Sequence, residues 1–265
     1  MSEEPVGLGR EILYKKTDDH IAIVTLNRPD KRNAVNAALA EALDHVVRQS
    51  ERDPGVRVVV LCSSNDKSFC AGADLAEVAQ GGANRLFTAE GGFAGFVDSK
   101  RRKPWIAAIK GAALAGGCEL ALACDLVVAA QETKFGIPEV KRGLFAAAGG
   151  VHRLVRALPR NLAIELVITG DSLDAPRAHL LGLVNRLVPA DAVDETALSL
   201  ARSIAENAPC AVLESLHVAR LGSELTDAQL RALSDEALQR IMATEDAKEG
   251  PRAFLEKRAP KWLGR

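Results

Sequence analysis

The sequence has no excess of either charge: 34 Lys and Arg stand against 35 Asp and Glu, for a formal net charge of −1. That balance gives no footing for nucleic acid or an acidic membrane surface, and neither is expected as a partner. No apolar run approaches the length of a membrane span, so no passage through a membrane is expected. The opening MSEEPVGLGR is acidic and lacks an apolar core, which reads as neither a secretory signal nor a transit peptide. The five cysteines are odd in number and lie mostly in apolar segments. They read as reduced core residues in a reducing compartment, and the expected location is the cytoplasm. Neither they nor the five scattered histidines have metal-ligand spacing, so no metal site is expected. Gly-x-Ser-x-Gly, a Walker A loop, Gly-x-Gly-x-x-Gly and His-Glu-x-x-His are all missing.

What is present is an alternation of strand and helix patterns. Residues 12 to 14 and the run Ile21-Ala22-Ile23-Val24-Thr25-Leu26 flank a polar turn and predict a hairpin. Val35, Leu39, Leu43, Val46 and Val47 recur at helical spacing, with Asn33 or Asn36 as cap and Asp53-Pro54-Gly55 as stop. Val56 to Leu61 predicts a buried strand. Strand, helix, strand in that order predicts a crossover and a mixed or parallel sheet. Trp105 to Ile109 and Leu126 to Ala130 are further strands, on either side of a helix over Cys118 to Cys124. Residues 80 to 96 show no period and receive no assignment. Lys100-Arg101-Arg102-Lys103 reads as a solvated face, with a phosphate contact as the alternative. Helices follow over Val151 to Leu158, Asn161 to Thr169 and Ala175 to Gly182, then a short strand over Val184 to Val188. Beyond Pro189 the patterns are helical only, with a capping box at Thr226-x-x-Gln229 and a last helical turn around Phe254 to Arg258. The organisation expected is an α/β core over 1–190 and a helical region over 191–265.

Glu119 is out of place, an acid among apolar neighbours on a core helix. Burying it unpaired is costly, so its site must solvate it, pair it or protonate it. Glu139 is a second acid, in the loop Gly136-Ile137-Pro138-Glu139-Val140. Each alone reads equally as a structural acid: Glu119 at a helix start favoured by the dipole, Glu139 on an exposed loop. Two turns of small residues precede Asp74 and Glu119. Asp74 reads as the cap of a short helix beginning at Leu75. The turns either permit close packing or present the N–H groups of Ala73 and Gly116 to one carbonyl oxygen, as an oxyanion hole.

Several segments, in order, carry a resemblance. They are Leu26-Asn27-Arg28-Pro29 with Asn33-Ala34, then Ser68-Phe69-Cys70-Ala71-Gly72-Ala73-Asp74-Leu75, then Lys110-Gly111-Ala112-Ala113-Leu114-Ala115-Gly116-Gly117-Cys118-Glu119-Leu120. Phe135-Gly136-Ile137-Pro138-Glu139, Ala148-Gly149-Gly150, Thr169-Gly170 and Gly182-Leu183-Val184 follow. The chain resembles the crotonase (enoyl-CoA hydratase/isomerase) superfamily nearly end to end, and within it the enoyl-CoA hydratases. The resemblance implies an α/β spiral of ββα units with a C-terminal helical trimerisation region, as a homotrimer or a hexamer made from two trimers. It implies an acyl-CoA thioester as substrate, with coenzyme A as part of that substrate and no separate cofactor. It also implies an oxyanion hole at Ala73 and Gly116, substrate contacts at Ala71, Asp74, Leu75 and Gly117, and Glu119 and Glu139 as the catalytic pair. An enoyl-CoA isomerase, a crotonobetainyl-CoA-type hydratase and a weakly active acyl-CoA-binding relative are the alternatives. One departure stands out: where hydratases commonly carry Pro-Gly, this chain reads Phe145-Ala146-Ala147-Ala148.

Overall fold

Clean alternation of side chains builds the main sheet. The computed structural model describes residues 9–265, so the expectation of no signal or transit peptide falls mostly outside the described residues. The strands are β1 Ile12–Lys16, β2 Ile21–Leu26, β3 Val58–Ser63, β4 Ser68–Cys70, β5 Phe87–Thr88, β6 Gly92–Phe93, β7 Trp105–Ile109, β8 Ala112–Leu114, β9 Leu126–Ala130, β10 Lys134–Gly136, β11 Ser172–Asp174 and β12 Arg186–Val188. The six-stranded sheet runs β1-β2-β3-β7-β9-β12, parallel throughout except for the predicted β1–β2 hairpin. Along β7, Trp105, Ala107 and Ile109 enter the larger apolar core while Ile106 and Ala108 enter a second one on the opposite face. Period-two geometry divides an all-apolar run this way, and burial on both faces is why the run is apolar throughout.

The helices are α1 Ala37–Arg52, α2 Leu75–Ala79, α3 Gly116–Ala123, α4 Gly150–Ala157, α5 Arg160–Thr169, α6 Ala175–Leu180, α7 Val193–Ala205, α8 Pro209–Leu221, α9 Asp227–Met242 and α10 Asp246–Leu255. Asn36 caps α1 through the Leu39 N–H at 2.9 Å, deciding between the two predicted caps. The predicted capping box at Thr226 and Gln229 is present on α9. Helix α7 lays Val193, Ala197, Ala201 and Ala205 on the second face of the sheet. Arg220 of α8 ties the C-terminal helices back to the sheet by gripping both oxygens of Asp125 at 2.7 Å.

A second sheet, β11-β10-β8-β4, has strands of only three residues, too short to show a period in the sequence. The unassigned residues 80 to 96 form a 3-10 turn over Ala83–Leu86 and the β5–β6 ribbon. The basic run 100–103 is a solvated face only in part: Lys100 and Arg102 are exposed, while Arg101 and Lys103 turn inward. The Lys103 ammonium is buried and donates to the Ser50 and Asp53 carbonyls at 2.6 and 2.7 Å, at the end of α1. Arg101 stacks 3.7 Å over the Phe96 ring and donates to the Ala123 carbonyl at the end of α3. Both cations satisfy helix C-terminal carbonyls, where the dipole favours positive charge.

Candidate active site

Strands β4, β8 and β10 lie side by side and parallel, so their C-terminal ends open in one direction. From these ends the chain runs into Ala71–Leu75, into Ala115–Glu119 and into a 3-10 turn over Pro138–Arg142. Carboxyl ends of adjacent parallel strands are where α/β folds form ligand crevices. Here they enclose a cleft of about 550 Å³ that Ala71, Ala73, Leu75, Gly116, Glu119 and Glu139 all line.

Two N–H groups reach this cleft unspent. The Val35 N–H donates to the Gly72 carbonyl at 2.7 Å and the Asp74 N–H to the Val35 carbonyl at 2.9 Å. Those bonds use the groups flanking Ala73, and extended-chain alternation turns the Ala73 N–H to the other side. Gly116 begins α3, where an N–H has no partner within the helix. Among the described residues neither donates to a protein acceptor. The two turns touch. Gly72 has φ +89°, and a Cβ there would stand 2.7 Å from the Ala115 Cβ and 2.8 Å from the Gly116 nitrogen. Ala115 has φ 52° and ψ −130°, a strained conformation for a residue with a side chain. It is held by its N–H to the Gly136 carbonyl at 2.8 Å.

Glu119 projects from the first turn of α3 and is 3% exposed. The Gly150 N–H, first in α4, donates to its Oε1 at 2.8 Å. A Cβ on Gly150 would press that carboxyl from 3.0 Å, so the loop Ala148-Gly149-Gly150 must be small to come so near. Burial pushes the Glu119 pKa up to about 7, opposed by the Gly150 N–H and reinforced by the Glu139 charge. Glu139 is half-buried and its pKa is also raised, chiefly by burial. Its Oε2 is sealed from solvent without a hydrogen-bond partner. A buried orphan oxygen is costly to the fold and is ready to bond an incoming ligand.

The sequence model of the enoyl-CoA hydratase/isomerase family matches residues 16–265. The chain belongs to that family, the crotonases. It is 39% identical over 253 residues to a probable enoyl-CoA hydratase of Rhizobium meliloti, covering 94% of this chain and 96% of that one. The crystal structure of an enoyl-CoA hydratase from Mycobacterium tuberculosis superposes with a TM-score of 0.92 at 42% identity, over 97% of this chain and all (100%) of that one. A carnitinyl-CoA hydratase from Mycobacterium avium is 44% identical with a TM-score of 0.75, over 97% of this chain and 99% of that one. The architecture is the crotonase spiral, with the helices after β12 as its C-terminal helical region.

Not every residue singled out in this crotonase's sequence faces the cleft. Asp74 caps α2 through the Ala76 N–H at 3.2 Å and pairs with Arg28 at 3.1 Å. That is the capping role its position suggested, and it leaves no carboxylate oxygen lining the cleft. Gly117 is packed on β4, where a Cβ would collide with the Cys70 carbonyl, so it too lies outside the lining. Phe145 and Leu144, beside the missing Pro-Gly, do line it. Ala115, Phe93 and Arg142 also line it and drew no attention in the sequence. A positive φ at an alanine leaves no mark in the sequence. Phe93 lay in the stretch without a period. The cysteines are all free thiols, Cys70 and Cys118 fully buried. Among the described residues no His, Cys, Asp or Glu cluster is arranged to hold a metal, and no helix is long and apolar enough to cross a membrane.

Proposed function

We propose that the protein is an enoyl-CoA hydratase, adding water syn across a trans-2-enoyl-CoA to give the 3-hydroxyacyl-CoA. The observation that carries this reading is one cleft holding two raised-pKa carboxyls and two unspent N–H groups. The thioester oxygen accepts from the N–H groups of Ala73 and Gly116, with Ala71 and Leu75 against the substrate. Glu119 in its ionised form takes a proton from water as the oxygen attacks C3. Electron density moves onto the thioester oxygen, where the two donors stabilise the enolate, each worth roughly 10²- to 10³-fold in rate. Glu139 then delivers a proton to C2. Coenzyme A enters as part of the substrate, and the scheme calls for no other cofactor. The carnitinyl-CoA relative supports a second reading, a hydratase of a different acyl chain acting through the same pair.

The test is turnover by the Gln variants. Glu119→Gln and Glu139→Gln should each lower kcat on crotonyl-CoA by at least about 10²- to 10⁴-fold, because glutamine keeps the shape but moves no proton. An isomerase can shuttle a proton between carbons with one base. If the parent hydrates 2-enoyl-CoA poorly, and Glu119→Gln leaves isomerisation of a 3-enoyl-CoA intact, the hydratase reading gives way to isomerase. A panel of enoyl-CoA esters separates straight-chain from carnitinyl-type substrates. The same proposal places the enzyme in the cytoplasm, supported by its free thiols. It also takes the protein to be a trimer or a hexamer of two trimers, with helices beyond residue 190 carrying the assembly.

A further inference from the structure

Arg142 is a cation without a partner in the catalytic cleft. It ends the 3-10 turn Pro138–Arg142, in which Glu139 is the second residue, and both side chains line the cleft. Residues three apart eclipse on a 3-10 helix, so Glu139 and Arg142 share one face. At a rise of about 2 Å per residue, Arg142 stands about 6 Å beyond Glu139. Its neighbour Lys141 is paired with Asp171 at 2.7 Å, pointing its charge elsewhere. Arg142 itself has no ion pair and no side-chain hydrogen bond among the described residues. Arg32, the other arginine of the lining, belongs to a different segment, and its carbonyl accepts the Ala71 N–H at 3.1 Å. The rest of the wall near Arg142 is apolar, Leu144 and Phe145. A guanidinium free of ion pairs beside apolar side chains, at the exposed edge of the cleft, fits a planar anion and works against a cation.

We propose that Arg142 selects the acyl chain: the cleft takes thioesters of a five-carbon chain whose last carbon, counting the thioester carbonyl as the first, is a carboxylate, and disfavours chains ending in a quaternary ammonium. The proposal rests on the hydratase reading of the cleft, in which C2 and C3 lie between the glutamates. One step past Glu139 along the shared face then brings the end of a five-carbon chain to the guanidinium. The pairing has a chemical consequence at Glu139. The Arg142 charge draws the Glu139 pKa downward, against the larger effect of burial. A substrate carboxylate that neutralises Arg142 relieves that pull, and Glu139 keeps the proton it must deliver to C2.

Binding of saturated thioesters tests this without turnover. Glutaryl-CoA and pentanoyl-CoA differ only in carboxylate against methyl at the chain end. By titration calorimetry the parent should bind glutaryl-CoA at least about tenfold more tightly. In Arg142→Gln that ratio should fall to about one, and Arg142→Lys should recover part of it. Arg142 is exposed, so the variants retain the fold, which circular dichroism checks. A parent ratio of one or below overturns the proposal. So does a ratio that survives Arg142→Gln, or a Gln variant that weakens both ligands equally, which would leave Arg142 a mere support of its turn. Crotonyl-CoA hydration on the same preparation reports separately on the hydratase reading: its loss with the binding ratio intact leaves the selectivity standing alone.

Discussion

Glu119 carries opposing demands within one carboxyl group. The core around it favours the protonated form, while the N-terminus of α4 supplies an N–H that favours the ionised form. Burial wins, and the pKa rises to about 7. As the base of the hydration step Glu119 must be ionised while Glu139 holds its proton, so kcat/KM on crotonyl-CoA should be bell-shaped in pH, with one limb at about 7. A flat profile between pH 6 and 8 would remove Glu119 from that role. The same shift sets a stability trend. In the unfolded chain the group titrates near 4.5, so between there and about 7 the folded state binds the extra proton. Stability therefore falls as pH rises through that window. Glu119→Gln, which keeps an acceptor for Gly150, should raise stability at pH 8 by at most about 3 kcal/mol, with the gain vanishing toward pH 4.5. Denaturant midpoints at the two pH values check it. The acid's oddity was legible from its apolar neighbours; its Gly150 anchor was not, because it spans 31 positions of chain.

At the scale of elements, the site is made by the abutment of two strand-to-helix turns. Gly72 and Ala115 carry the unusual backbone angles, and each turn fills space that the other would need if either bore a larger residue. Gly72→Ala puts a methyl against the Gly116 nitrogen and strains a positive φ. We expect a stability loss of about 1–3 kcal/mol and a fall in kcat of at least about 10²-fold, since the donor must move. Thermal melting and crotonyl-CoA kinetics measure the two effects. A variant with parental kcat and a lower melting temperature would show that the turns pack but do not catalyse. The small-residue runs announced both turns. Their contact was hidden because β4 and β8 are three residues each, with β8 inside what reads as a single turn.

For the molecule as a whole, the apolar surface is uneven. Leu180, Phe254 and Leu255 are 85%, 82% and 80% exposed, and Phe254 and Leu255 end α10. Side chains of this kind left in water favour association. The proposed trimer or hexamer should therefore appear in sedimentation at micromolar concentration. Phe254→Ser with Leu255→Ser should shift the distribution toward smaller species while the circular dichroism spectrum is retained. A parent that sediments only as a monomer rules the assembly out.

The alternation of β-rich runs with helical periods specified a mixed parallel sheet, and it did so locally: apolar spacing reports burial one segment at a time. The ordered motifs around Ala73, Gly116, Glu119 and Glu139 were likewise enough to indicate the family and its reaction. Tertiary structure decided what depends on distant residues meeting. It turned Lys103 and Arg101 from an apparent solvated run into caps for α1 and α3. It took Asp74 and Gly117 out of the cleft and brought Phe93 and Arg142 into it. Single positions carry no periodic signal, so their roles emerge only when three short parallel strands set their ends side by side.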